Sequence, residues 1–101
     1  MVQKVKYNKV HCIGVGGIGV SGIAKVLKVQ GAEVTGSAIQ ESFVLIELDA
    51  MGIKIFYGHS RTNVPEDVEL VIYSPAVPQS NPEREEVKNR IAKGKKIIEV
   101  N

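Results

Sequence analysis

The hexapeptide Gly14-Val15-Gly16-Gly17-Ile18-Gly19 constrains this chain more than any other stretch. It follows an almost continuously apolar run, residues 10–15, and opens a run over 20–30. There Val20, Ile23, Ala24, Val26 and Leu27 share a broad arc opposite Ser21, Lys25 and Lys28. Strand, glycine turn and helix in that order give the pattern G-x-G-x-x-G its meaning. Glycines let the backbone take left-handed angles and let a bulky anion come close to the amides. The free N-H groups and positive end of the following helix then face that anion. The loop is expected to hold a pyrophosphate; the plainer alternative is a glycine turn that binds nothing.

The rest of the chain continues the alternation. Gly31 stops the first helix, residues 33–37 read as a second strand, and Ser42 caps a second helix that ends at Gly52. Further strands are expected at 53–57, 70–73 and 96–100, with a polar link over 61–67 and a short lysine-bearing leading segment over 1–9. Pro75 and Pro78 end the fourth strand, because proline cannot donate to a ladder. Asn81 caps a third helix with Pro82 at its first position. Its acids Glu83, Glu85 and Glu86 come early, and its bases Arg90 and Lys93 late. The pattern predicts the α/β class: one Rossmann-like domain over 1–101, with about five mainly parallel strands and helices on both faces.

Composition removes several classes of function. A length of 101 residues allows one core. No apolar run approaches the roughly 20 residues that span a bilayer. Thirteen basic against eleven acidic residues leave +2, gathered at Lys93, Lys95 and Lys96 without interleaved aromatics, so nucleic acid is not an expected partner. The single cysteine, Cys12, lies in the first strand and reads as a reduced, buried thiol. The first seven residues do not read as a secretory leader, and the cytoplasm is the expected compartment.

Ligands of open parallel sheets lie beyond the carboxyl ends of the strands. That rule selects the glycine loop, Ser37-Ala38, Gly58-His59-Ser60 and the Ser74 to Pro78 turn. NAD would want Asp or Glu at the end of the second strand, where Gly36-Ser37-Ala38 stands instead, and NADP would want an Arg that 14–60 does not contain. An NADP-binding fragment therefore survives only on the glycine loop. His59 is a candidate donor to a phosphate or nucleobase, and the Ser74 hydroxyl either faces a ligand or ties down the turn before Pro75. His11, inside the first strand, reads as structural. No catalytic residues and no metal ligands emerge: Ser/His/Asp arrangements, metal-spaced His/Cys clusters and G-x-x-x-x-G-K-[ST] are all missing from the sequence.

Taken together, the run from His11 to Ala24, Gly36-Ser37, Gly58-His59-Ser60, Asn63-Val64, and Ser74 to Pro78 with Asn81-Pro82-Glu83 resemble one family. They match the amino-terminal domain of the UDP-N-acetylmuramate:L-alanine ligases, of the Mur ligase family. The resemblance implies a cytoplasmic domain of peptidoglycan (cell-wall) precursor synthesis that grips the UDP part of UDP-N-acetylmuramate and is not catalytic alone. ATP with magnesium, and the amino acid, are then expected on other domains of a full-length ligase. Matched by position, Gly16, Gly17, Ile18 and Gly19 would contact the pyrophosphate. Ser37, His59 and Ser74 would line the nucleotide or sugar-phosphate cleft. The ligases that reattach murein tripeptide share a similar first domain and stay open as an alternative.

The resemblance breaks at Ala38, where the family usually carries an acid. The helix behind it is also unusual. Val44, Leu48 and Met51 form the expected core stripe, yet Phe43, Ile46 and Ala50 make a second apolar arc. With Ile39 this arc is either an exposed patch or is covered by the 61–67 link. An exposed patch would suit a diverged or engineered interaction module, for example a homodimer joined through the 42–51 face by Ile39, Phe43 and Ile46.

Overall fold

Residue parity along the first strand builds the whole molecule. In β1 (Lys9–Ile13), Val10 and Cys12 point to one side of the sheet, while His11 and Ile13 point to the other; all four are buried. A strand covered on both faces reads as a continuous apolar run, which is why the sequence shows no alternation there. The computed structural model describes residues 7–101, so the leading segment expected over 1–9 lies outside it up to residue 6.

After β1 come α1 (Ile18–Val29), β2 (Glu33–Ala38), α2 (Phe43–Ala50), β3 (Lys54–Tyr57), a 3-10 turn (Arg61–Asn63), β4 (Leu70–Tyr73), α3 (Pro82–Ala92) and β5 (Ile98–Val100). The five strands form one sheet of order β3-β2-β1-β4-β5, with every neighbouring pair parallel. The chain winds outward from β1 to β3, then returns across β1 to β4. The strand order therefore reverses between β1 and β4, which places the topological switch point at their carboxyl ends. The expected Rossmann-like α/β architecture is the one found.

Two cores lie on the two faces. Val10, Cys12, Val34, Ala38, Leu70 and Ile72 meet Val20 and Ala24 of α1 and Leu45 and Leu48 of α2. On the opposite face Ile13 and Val71 meet Val87 of α3, with Val64, Val68 and Val77 from the connecting loops. Each fully buried Leu or Ile contributes about 1.5–3 kcal/mol by leaving water. Gly36 faces the first core, where a Cβ would stand 2.7 Å from Val15. Only a hydrogen fits between the strand and the loop that crosses it.

The seam of α2 differs from the expected Val44, Leu48, Met51 stripe. Leu45 and Leu48 are fully buried, whereas Val44 and Met51 are half-buried. The helix has only eight residues and packs against β3 and α1, so tertiary contact selects the seam where so short an apolar run cannot. Phe43, Ile46 and Ala50 remain exposed. The 61–67 link does not cover them. It packs on α3, where the Arg90 guanidinium donates to Val64 O (3.0 Å) and Pro65 O (2.6 Å). No helix among the described residues is long and apolar enough to cross a membrane.

Candidate functional site

At the switch point the carboxyl edge of the sheet opens into a cleft of about 790 Å³. Its floor is Gly14, Gly16 and Gly17, its sides are His59 and the Ser74 to Pro78 turn, and its rim runs from Ala38 to Ser42.

The glycine loop is pinned from below. Gly14 N and Val15 N both donate to Ser37 O, at 3.0 and 2.9 Å, tying the loop to the tip of β2. Within the hexapeptide the left-handed backbone falls at Gly14 alone, with φ 76°, and a Cβ there would also press on Val77 at 3.0 Å. Gly16 and Gly17 are needed for openness, not for angle: both are exposed toward the cleft. Gly17 is the N-cap of α1, and no side chain caps the helix. Its first intrahelical bond is Ser21 N to Gly17 O at 2.8 Å, so the first-turn amides have no preceding turn to receive them. No acid occupies that turn. The positive end of α1 is therefore unneutralised beside the cleft.

The four loop residues expected around a pyrophosphate do not all share this space. Gly16 and Gly17 line the main cleft, whereas Ile18 and Gly19 border a smaller hollow of about 250 Å³ that reaches Val100 and Asn101. Gly17 and Ser74 touch both. The Ser74 hydroxyl accepts Ala76 N at 3.1 Å and so ties the proline turn while also lining the cleft.

Ser37 is not on the cleft wall. Its side chain follows the parity of Thr35 toward the α3 face and is fully buried, and Ala38 meets the cleft in its place. There the Ser37 hydroxyl donates to Glu83 Oε1 at 2.8 Å and lies 3.2 Å from His59 Nδ1. Glu83 is the hub. Its Oε1 also meets His11 Nε2 at 2.6 Å, and its Oε2 meets His59 Nδ1 at 2.9 Å. Oε2 accepts in addition from Ser60 N (3.2 Å) and Asn63 Nδ2 (3.1 Å). His11 is satisfied on its other side by Thr35 Oγ1 at 2.7 Å.

Burial alone would raise the Glu83 carboxyl. The hydrogen bonds from His11, Ser37 and Asn63, with the attraction of His11, outweigh it and lower the pKa to about 2. An ionised carboxylate only accepts, so the histidine nitrogens facing it, His11 Nε2 and His59 Nδ1, are donors. Every buried side-chain nitrogen and oxygen among the described residues has a partner. Burial pushes the Cys12 thiol up to about 12, leaving it an inert packing group.

Sequence reasoning reads Glu83 as a first-turn acid matching the helix dipole and as part of the Asn81-Pro82-Glu83 match, and misses this role. The available signal was His11, a histidine in a strand buried on both faces, which must find partners. The Asn81 cap is as expected: its Oδ1 accepts Glu83 N at 2.8 Å and Arg84 N at 3.4 Å. That bond orients the first turn of α3 and carries Glu83 inward. No group of three or more His, Cys, Asp or Glu among the described residues could hold a metal ion.

Residues 9–100 match the Mur ligase family, catalytic domain. The chain belongs to that family. It is 50% identical over 82 residues to the UDP-N-acetylmuramate--L-alanine ligase of Rubrobacter xylanophilus, covering 81% of this chain and 18% of the relative. The enzyme of the same name from Syntrophomonas wolfei is 43% identical over 88 residues, 87% of this chain and 18% of the relative. Among solved structures, the UDP-N-acetylmuramate-alanine ligase of Thermotoga maritima superposes with TM-score 0.75 at 41% identity, covering 90% of this chain and 20% of that one. The UDP-N-acetylmuramate:L-alanyl-gamma-D-glutamyl-meso-diaminopimelate ligase from Neisseria meningitides shares the fold, with TM-score 0.74, 20% identity and coverage of 93% and 28%. The chain thus spans about a fifth of the length of the curated relatives it matches.

Proposed function

We propose that this chain is the UDP-sugar-binding domain of an alanine-adding Mur ligase, and that its cleft seats the UDP part of UDP-N-acetylmuramate. The observation that carries the reading is the uncapped, acid-free start of α1 on the floor of a cleft at the switch point. A diphosphate there would meet Gly16 and Gly17 first and the amides of Ile18 and Gly19 behind them, with His59 and Ser74 at its sides. Ser37 would act from beneath, through its carbonyl on the loop and its hydroxyl on Glu83. Gly36-Ser37-Ala38 lacks the acid that NAD would want, while Ala38 also departs from the acid the family usually carries there. The alanine-adding reading is supported by identities of 41–50% to enzymes of that name, against 20% to the tripeptide-adding one.

Binding and orientation are all that these residues offer. Amide formation, with ATP and magnesium, is assigned to the remaining length of such a ligase, acting in the cytoplasm. The test is a titration of UDP-N-acetylmuramate followed by backbone amide shifts. Shifts centred on Gly16, Gly17, His59 and Ser74 are expected; shifts with NADP in place of UDP-sugar would restore the dinucleotide reading.

A second reading, a homodimer through the α2 face, is favoured by the exposure of Ile39 (75%), Phe43 (91%) and Ile46 (52%). Sedimentation at rising concentration separates it from a monomer.

A further inference from the structure

His59 has one nitrogen committed inward and one left for the cleft. Its Nδ1 lies 2.9 Å from Glu83 Oε2, with Glu83 fully buried, while the ring is one of the groups lining the cleft. The side chain is 15% exposed, so only one edge of it can meet a ligand. The two imidazole nitrogens sit on different edges of the ring, and a proton held on Nδ1 by the carboxylate leaves Nε2 of a neutral ring as a bare lone pair. A lone pair repels a phosphate oxygen. Gly58, with φ 91°, sets the turn, and Asn63 Nδ2 clamps its carbonyl at 2.9 Å, so the ring cannot swing to offer Nδ1 without breaking this cluster.

We propose that Glu83 is a positioning residue that fixes His59 with its Nδ1 proton turned inward, so that Nε2 takes up a proton when a diphosphate enters the cleft. The inference rests on the reading of the cleft as a UDP-sugar site. The step balances simply: one proton leaves solvent and bonds to Nε2, which then donates to a phosphate oxygen, and no other bond is made or broken. The resulting imidazolium lies between two anions, the buried carboxylate and the ligand. Glu83 is kept ionised for this purpose by its other donors, Ser37, Ser60 and Asn63.

The titratable and charged groups around His59 are Glu83 from α3, His11 from β1 on the far side of Glu83, and Glu41 on the cleft rim. Tyr57 and Arg61, two residues away on either side in the chain, are exposed. Glu41 would favour a cation at His59 but weaken the ligand. His11 competes for the same carboxylate, so the proton must be located by site and not inferred from a total.

The experiment is calorimetry of UDP-N-acetylmuramate binding to this chain in buffers of different ionisation heat, together with nitrogen NMR of the His59 ring. The free protein is expected to show the Nδ1-H tautomer, and the complex both nitrogens protonated. Proton uptake approaching about one makes affinity fall up to about tenfold per pH unit on the alkaline side. His59→Gln abolishes the uptake and flattens that dependence. Glu83→Gln is expected to lose the tautomer preference. Should that variant not fold, Thr35→Val provides the contrast, lowering the melting temperature while uptake persists, because it touches His11 and neither Glu83 nor the His59 ring. An Nε2-H tautomer in the free protein, or binding whose heat gives no proton uptake, overturns the proposal and leaves the UDP-sugar site standing. No binding of UDP-N-acetylmuramate at all overturns the site, and this inference with it.

Discussion

The two faces of this sheet are made from alternate residues of the same strands, yet they are held together by different physics. Toward α1 and α2, Val10, Cys12, Val34, Leu45, Leu48, Leu70 and Ile72 exclude water, and the stabilisation spreads over many interchangeable contacts. Toward α3, the strand positions His11, Thr35 and Ser37 are polar: His11 and Ser37 bond Glu83, and Thr35 bonds His11, beside the apolar Ile13, Val71 and Val87. An apolar core degrades gradually, whereas a buried polar cluster is worth keeping only while complete. The face with the fragile chemistry reaches the cleft through His59.

Glu83→Ala tests that contrast most severely. It strands five donors at once, on His11, Ser37, His59, Ser60 and Asn63. The expected loss is about 3–5 kcal/mol, a large part of what a domain of this size has. Urea denaturation reads it directly. A loss under about 1 kcal/mol would mean that water replaces the carboxylate and that the two faces do not differ in kind.

Acid sharpens the same comparison. The folded Glu83 carboxyl lies at about 2 against an ordinary 4.5. A depressed folded value contributes stability that is complete above the unfolded value and is lost as pH falls through the folded one. The window is thus from about 4.5 down to 2, and the loss is on the order of 3 kcal/mol at about 1.4 kcal/mol per pKa unit. Melting temperature against pH should fall across this window in the parent chain and stay flatter there in Glu83→Gln.

Leu48→Ala probes the other face. Leu48 is fully buried but sits on a two-turn helix beside solvent, so part of the cavity can collapse, and a loss of about 2–3 kcal/mol is expected. Its stability curve should run parallel to the parent's from neutral pH to acid, since nothing that titrates has been removed. A pH-dependent difference would show that the cores are coupled through the sheet.

This division also explains what the sequence could disclose. The glycine loop, the proline turn and the Asn81 cap announce themselves because their chemistry is local: a positive φ at Gly14, a missing N-H at Pro75, a side-chain oxygen two residues before an orphan amide. The apolar arc of α1 follows from periodicity, and the parallel sheet from the alternation of strands with helices. The polar face was hidden, because its bond from His11 to Glu83 spans 72 residues and a first-turn glutamate ordinarily faces water. Ser37 is expected in the cleft from the strand-end rule for its stretch and from its position in the family match; its parity sends the side chain under His59. In α2 nearly every position is apolar, so a wheel could not distinguish Leu45 from Met51 as the seam.

The smallest expected effect lies where neither kind of packing operates. Phe43 is 91% exposed at the first position of α2, and the first turn of that helix holds no acid. Phe43→Glu removes no buried contact and places a negative charge at the positive end of the helix dipole, worth about 0.3–1 kcal/mol in favour of folding. The substituted chain should be as stable as the parent or slightly more so, and should sediment identically if the parent is monomeric. A loss above about 1 kcal/mol that grows with protein concentration would mean that Phe43 is covered in solution by a second copy, since only an associating surface makes stability depend on concentration. The α2 face would then carry a third apolar interface, formed between chains, with Ile39 and Ile46 beside Phe43 at its centre.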